Sequence, residues 1–299
     1  MKNIGSVTTS RAETPRAETV GWWWAALGVL CFSFTLPATR LAVPEFGGYT
    51  VGFGRAVVAG LLALGLLLVR QERFPERRHW RGLALVALGV VFGFPVLTSL
   101  ALRTVPSSHG AVVVGLLPAA TAIAAVLLTR ERPRPVFWLV SALGVAAVVA
   151  FAATTGAGHL GTGDVFMLLA VLLAALGYAE GGRLARELDG WRVVSWALVF
   201  SLPAALITVL LTPWPTQLPS GVAWLAFGYV SVVSMFLGFF AWYRGLALGG
   251  VARAGQVQLV QPVLTVVWSA LFLGEALDGR TLVAALVVVG CAALSRLTR

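Results

Sequence analysis

The densest run of side chains able to do chemistry is Arg253, Gln256, Gln258, Gln261 and Thr265, set in an otherwise apolar stretch. An unpaired polar group in hydrocarbon costs on the order of several kcal/mol, so these groups must meet partners or a wet cavity. At about 100° per residue Gln258, Gln261 and Thr265 share one helix side, with Gln256 rotated away. Three amides in six residues are too many for lipid contact. They either bond neighbouring helices or line a path across the membrane, and the path is the stronger reading because intramembrane polar groups tend to mark one. Thr98, Ser99, Trp242 and Tyr243 could add hydroxyls and an aromatic wall, although Ser and Thr can also bond back to their own helix. Phe92, Phe94, Phe239, Phe240 and Trp268 could supply an apolar pocket. Two charges lie deep in apolar runs, Arg55 and Glu180. Glu180 precedes Arg183 by three residues, which makes a local ion pair available. Both are read as structurally paired, with Glu180 the candidate carboxylate for proton coupling. His109 and Arg253 each sit near a helix N-terminus, where the dipole favours anions, and His109 could titrate. There is no metal-ligand spacing, phosphate loop, nucleophile elbow or carboxylate pair, so neither a cofactor nor catalysis is expected.

The elements that must position these groups are membrane helices. The chain is 59% hydrophobic and 11% charged, more apolar surface than 299 residues can bury in water. Ten apolar spans of near-bilayer length are expected: 21–40, 48–69, 80–102, 106–129, 135–153, 163–184, 191–212, 220–243, 250–273 and 279–296. Together they predict an all-α integral membrane fold. A shift of 144 positions lays Pro75 on Pro219, Trp80 on Trp224, Pro118 on Pro262 and Glu131 on Glu275. Each half holds five spans, an odd number, so two like halves must be inverted with respect to each other. The predicted organisation is a disordered cytoplasmic tail over 1–20 and five-helix repeats over 21–155 and 160–297. Pro118 and Pro262 fall midway along spans 4 and 9 and free the carbonyls of Val114 and Gln258, an expected pair of kinks suited to hinges or gates.

Of 22 Lys and Arg, 18 fall in the two tails and the even-to-odd loops, and three (Arg40, Arg103, Arg280) fall in the opposite loops. The positive-inside rule then puts both termini in the cytoplasm. The net charge of +10 is thus a topology signal, and no nucleic-acid partner is expected. Cys31 and Cys291 lie in separate spans, with no disulfide required. Trp22, Trp23, Trp24, Trp80, Trp138, Trp191, Trp214 and Trp224 mark span ends.

The segments Gly115-Leu-Leu-Pro118 with Thr129-Arg-Glu131, Val260-Gln-Pro262 with Leu273-Gly-Glu275, and Phe53-Gly-Arg55 resemble the EamA branch of the drug/metabolite transporter superfamily, over about residues 22–297. That resemblance implies a secondary carrier with a central cavity formed by spans 1, 3, 4, 6, 8 and 9. Carried onto this chain, the substrate contacts would be Thr98, Ser99, His109, Gly115, Trp242, Tyr243, Gln256, Gln258 and Gln261. The implied cargo is a neutral amino acid, aromatic ones included, or a similar small metabolite leaving through a bacterial inner membrane. Nucleotide sugars or drug-like cations are the alternative cargo, and a non-transporting membrane enzyme or scaffold is the alternative class. With both halves in one chain, a monomer would suffice.

Overall fold

The computed structural model describes residues 15–129, 135–155, 161–276 and 279–297. Glu131 and residues 1–14 of the expected tail lie outside them, as do the side chains of Arg253 and Gln256. Every regular element among the described residues is a helix. In order the helices are α1 (Pro15–Ser33), α2 (Thr35–Phe46), α3 (Gly48–Val69), α4 (Arg77–Val86), the π-helical turn π1 (Ala87–Gly93), α5 (Phe94–Ala101), α6 (Ser107–Val114), α7 (Leu117–Thr129), α8 (Pro135–Thr155), α9 (Thr162–Leu188) and α10 (Gly190–Leu211). There follow α11 (Gly221–Gly228), π2 (Tyr229–Leu237), α12 (Gly238–Gln258), α13 (Gln261–Leu273) and α14 (Gly279–Leu297).

Among the described residues seven helical segments are long and apolar enough to cross a membrane: Thr19–Phe46, Gly48–Val69, Arg77–Ala101, Ser107–Leu128, Thr162–Leu188, Gly190–Leu211 and Gly221–Gly249. Gln261–Leu273 and Gly279–Cys291 are apolar but shorter. α1 begins inside the stretch expected to be disordered. Pro15 sits at its first position, where a missing N–H costs nothing, and Arg16-Ala-Glu18 favours helix.

One expected loop is absent. Residues 244–249, read as the turn between spans 8 and 9, lie inside α12. Gly245 there, with Gly21 and Gly28 of α1, forms a packing seam between α12 and α1. A Cβ on Gly245 would stand 2.5 Å from Ala25 N, one on Gly21 2.5 Å from Gly249 N, and one on Gly28 2.9 Å from Trp242 N. Where helices meet in lipid, close backbone approach replaces the hydrophobic drive, so glycine belongs at the seam.

The 144-residue repeat is written into the backbone. α4 and α11 start at Arg77 and Gly221, π1 and π2 end at Gly93 and Leu237, and α8 and α14 start at Pro135 and Gly279. Each pair is 144 apart. α6 stops at Val114 and α7 starts at Leu117, just as α12 stops at Gln258 and α13 starts at Gln261. Both breaks carry the same bonds: Leu116 N to Val113 O and Ala120 N to Leu116 O in one, Val260 N to Val257 O and Leu264 N to Val260 O in the other. Pro118 and Pro262 are therefore not mid-helix kinks. Each is the second residue of a new helix, where no intrahelical N–H bond is lost.

Candidate functional site

A narrow cavity lies where the two halves meet. Its walls come from α1 and α2 (Phe32, Thr35, Leu36), α3 (Arg55), π1 and α5 (Val90, Phe94, Pro95), α9 (Tyr178), π2 and α12 (Ser234, Met235, Phe239) and α13 (Gln261). Val90 with Ser234, and Pro95 with Phe239, are repeat equivalents, so the cavity straddles the seam between the halves. Both π-helical turns line it, which fits the habit of such turns to occur at functional sites. Its free volume is about 20 Å³, room for a single water.

Arg55 is the outstanding feature of these walls. Its side chain is 1% exposed, its Nε has no hydrogen-bond partner, and among the described residues no carboxylate lies within ion-pair distance. The structural pairing expected for Arg55 is absent. Burying a guanidinium without a counter-charge costs several kcal/mol, which makes Arg55 the least expected group in these walls. The remaining lining is neutral. Thr35 and Ser234 hydroxyls bond each other at 2.8 Å, and the Gln261 Oε1 is buried without a partner. The apolar wall is aromatic: Phe32 lies 4.8 Å from Phe239 and 6.3 Å from Tyr178, centroid to centroid, and Tyr178 lies 5.5 Å from Trp242.

The other expected site residues divide. Gln261 faces the cavity. Gln258, 1% exposed, ends α12 beside the break with both amide atoms unpartnered, but it is not in the lining. Trp242 is buried behind Phe32 and Tyr178 with its Nε1 unpaired, and Tyr243 donates to Gly177 O at 3.2 Å. Thr98 donates to Phe94 O at 2.6 Å and Ser99 to Pro95 O at 2.7 Å. These two hydroxyls are spent on their own helix, and the residues they bond are the ones in the cavity wall. Gly115 lies in the first break, where a Cβ would meet Val288 Cγ1 at 2.8 Å. Glu180 is held by Arg183 through two contacts, Nε to Oε2 at 2.9 Å and Nη2 to Oε1 at 2.6 Å, the local pair expected from the spacing.

Sequence reasoning missed the groups joined across the chain. Thr265 donates to Ser33 O at 2.7 Å, Trp268 Nε1 to Ser33 Oγ at 3.0 Å, and Ser269 and Ser107 hydroxyls meet at 2.8 Å. α13 therefore carries a polar stripe from Gln261 in the cavity to its far end. There Gly274, in the left-handed region at φ 65°, stops the helix and turns Glu275 back. Ser107 N and Oγ donate to Glu275 Oε1 and Ser108 N donates to Oε2, each at 2.8 Å. Burial pushes the Glu275 carboxyl up, but the bonds from Ser108 and Ser107 outweigh it and hold the group below its ordinary range. The N-terminus of α6, read as a place to attract an anion, is thus occupied by the protein's own carboxylate. His109 is likewise engaged, with Nε2 2.6 Å from Asp164 Oδ1, while Asp164 Oδ2 accepts from Gly161 N. The proline-led break at 259–260 was the one sequence signal for this assembly.

Relatives agree with this architecture. The chain is 46% identical over 279 residues to the uncharacterized transporter YdeK of Bacillus subtilis (strain 168), covering 93% of this chain and 97% of that protein. It is 25% identical over 257 residues to the aromatic amino acid exporter YddG of Ancylobacter novellus, covering 83% of this chain and 85% of the other. The uncharacterized inner membrane transporter YedA of Escherichia coli (strain K12) is 25% identical over 244 residues, 81% of this chain and 78% of its own length. A crystal structure shares the fold with a TM-score of 0.65 at 20% identity, across 95% of this chain and 99% of that one. The profile of the EamA-like transporter family matches residues 19–153 and again 161–297. Matched twice along its length, this helical chain belongs to the EamA-like transporter family.

Proposed function

We propose that this protein is a secondary carrier that exports neutral amino acids, aromatic ones included, or similar small carboxylates, across a bacterial inner membrane by alternating access. The observation that carries the reading is Arg55, a buried and unpaired guanidinium on the wall of the cavity between the halves. A substrate carboxylate would supply the missing counter-charge through two parallel N–H···O bonds. The Gln261 Oε1 and the Thr35 and Ser234 hydroxyls are acceptors for an ammonium, and Phe32, Tyr178 and Phe239 would cover an apolar or aromatic side chain. An unpaired cation at this place opposes a drug-like organic cation as cargo. A nucleotide sugar would need far more room and several fixed cations for its phosphates.

In this reading ten spans form two inverted repeats, 21–155 and 160–297, with both termini in the cytoplasm, and a monomer is sufficient. With room for about one water, the cavity is read here as a narrow resting state that must widen to admit cargo. Glu275 and the Ser107–Ser269 contact seal one end, and the cavity widens when the halves rock about the paired breaks before Pro118 and Pro262. Glu180 is committed to Arg183, so any proton coupling falls to the His109–Asp164 pair.

The test is counterflow in proteoliposomes with each common amino acid, with and without a pH gradient, for the wild type, Arg55→Gln and Arg55→Lys. Arg55→Gln is expected to slow flux by about a hundredfold or more, the cost of removing one charged hydrogen-bond pair, with Arg55→Lys in between. Folding is checked by the thermal midpoint in detergent. A folded Arg55→Gln protein with normal flux sinks the reading. Failure of every amino acid, with flux of another class such as organic cations, reassigns the cargo, and no flux of any class favours a non-transporting role.

A further inference from the structure

A second cleft, of about 680 Å³, opens on the opposite side of α12 from the central cavity. α12 has two faces. Phe239, Trp242, Tyr243 and Leu246 are buried inward. Phe240, Ala241, Arg244, Ala247 and Leu248, with Leu237 of π2, line the cleft together with Trp24 and Leu27 of α1, Leu66 of α3 and Trp191 of α10. Arg70, just past the end of α3, completes it. Leu27 and Leu237 are each 47% exposed, and Leu68 and Val69 beside Arg70 are 68% and 82% exposed, so the cleft opens on an exposed apolar flank of the bundle.

Its charge is one-sided. Neither Arg70 nor Arg244 has a carboxylate partner among the described residues. Arg244 lies over the Trp24 ring at 5.0 Å, and Arg192 over Trp191 at 5.5 Å. The one acid in the lining, Asp189, lies 3.8 Å from Arg192, which Glu72 also binds at 2.9 Å. Two guanidiniums without a carboxylate partner among the described residues therefore share the cleft with two indoles and an apolar floor of Leu27, Leu66, Leu237 and Phe240. The end of the bundle that carries them also carries the arginine-rich loop over 70–81. Anionic lipid headgroups gather at such basic, aromatic-flanked sites between helices.

We propose that this cleft binds one anionic phospholipid, with the headgroup phosphate on Arg70 and Arg244 and an acyl chain along the Leu27–Leu237–Phe240 floor. The site touches the helix pair α1–α12 from outside, so an occupying lipid bears on the same element that walls the transport cavity.

The experiment is native mass spectrometry of purified protein equilibrated with mixed micelles of phosphatidylglycerol or phosphatidylcholine. The wild type is expected to keep one phosphatidylglycerol in preference to phosphatidylcholine. Arg70→Gln with Arg244→Gln should weaken that retention about thirtyfold, each arginine near an anionic surface contributing about fivefold. Arg103→Gln, at the opposite end, should leave it unchanged. Leu237→Trp, which fills the apolar floor and leaves both arginines, should also release the lipid and so guards against misfolding of the double variant. Equal retention of phosphatidylcholine, or full retention by the double variant, overturns the proposal. So does displacement of the lipid by millimolar inorganic phosphate, since that would make the cleft a site for free anions.

Discussion

At the level of single residues, the protein keeps two polar accounts. Glu275 is an internal counter-charge: three donors from the first turn of α6 surround it, and the helix dipole adds to their field. A carboxyl held below its ordinary range stabilises the proposed latch between α6 and Glu275 at pH above that ordinary value, and the stabilisation fades as pH falls through the lowered one. Between about pH 6 and 8 this latch should thus be insensitive to pH. Glu275→Gln keeps the shape but loses the charge and should weaken the latch by about 2 kcal/mol. The readout is faster labelling of a cysteine at Ser269 by a soluble thiol reagent, in a background lacking Cys31 and Cys291. Unchanged labelling would mean that Glu275 is not the bar. Arg55 is the reverse case, a buried charge with no carboxylate partner among the described residues. Gln261, with its Oε1 unpartnered in the same cavity, should act with it: Gln261→Ala is expected to raise KM about tenfold in the flux assay, the loss of roughly one hydrogen bond to substrate.

At the level of elements, the decisive contact is the seam of α1 with α12. Glycine inside a helix costs about 0.5–1 kcal/mol against alanine, so Gly245 and Gly249 weaken α12 as an isolated helix. They are tolerated because they let α1 approach to backbone contact. Gly245→Leu should consequently lower stability by about 1–3 kcal/mol through overpacking, seen as a fall in the thermal midpoint in detergent. Gly65→Leu, on α3 with open space around its Cα, is the matched control and should be close to neutral. Equal midpoints for the two variants would refute the seam. The two breaks before Pro118 and Pro262 follow a different logic. The sequence marks them with proline, but proline by itself is compatible with a kink or a restart. The bonds at Leu116 and Val260 show the restart.

At the level of the whole molecule, the repeat makes a topological demand. Phe74 and Leu218 are 144 apart, and both are exposed, at 60% and 94%. In an inverted pair, equivalent loops lie on opposite sides of the bilayer. Phe74→Cys and Leu218→Cys, placed singly in a background lacking Cys31 and Cys291, should react with an impermeant thiol reagent from opposite sides of intact cells. Phe74→Cys should react only from within, next to the arginine-rich loop. Labelling of both from one side would refute inversion.

Much of this protein was legible one residue at a time. Apolar length, hydropathy, the 144-residue register and the paired prolines are local properties, and lipid enforces them because backbone polar groups can be satisfied there only within helices. The Glu180–Arg183 pair was legible for the same reason, since helix geometry sets neighbours three residues apart. What the tertiary structure decided was which polar groups meet across long separations. His109 finds Asp164, Ser107 and Ser108 find Glu275, and Arg55 finds no carboxylate among the described residues. It also decided that a glycine-rich stretch at 244–249 packs as helix, because α1 was there to receive it. A chain states its periodicities, but the surroundings of a buried charge exist only once the helices around it are in place.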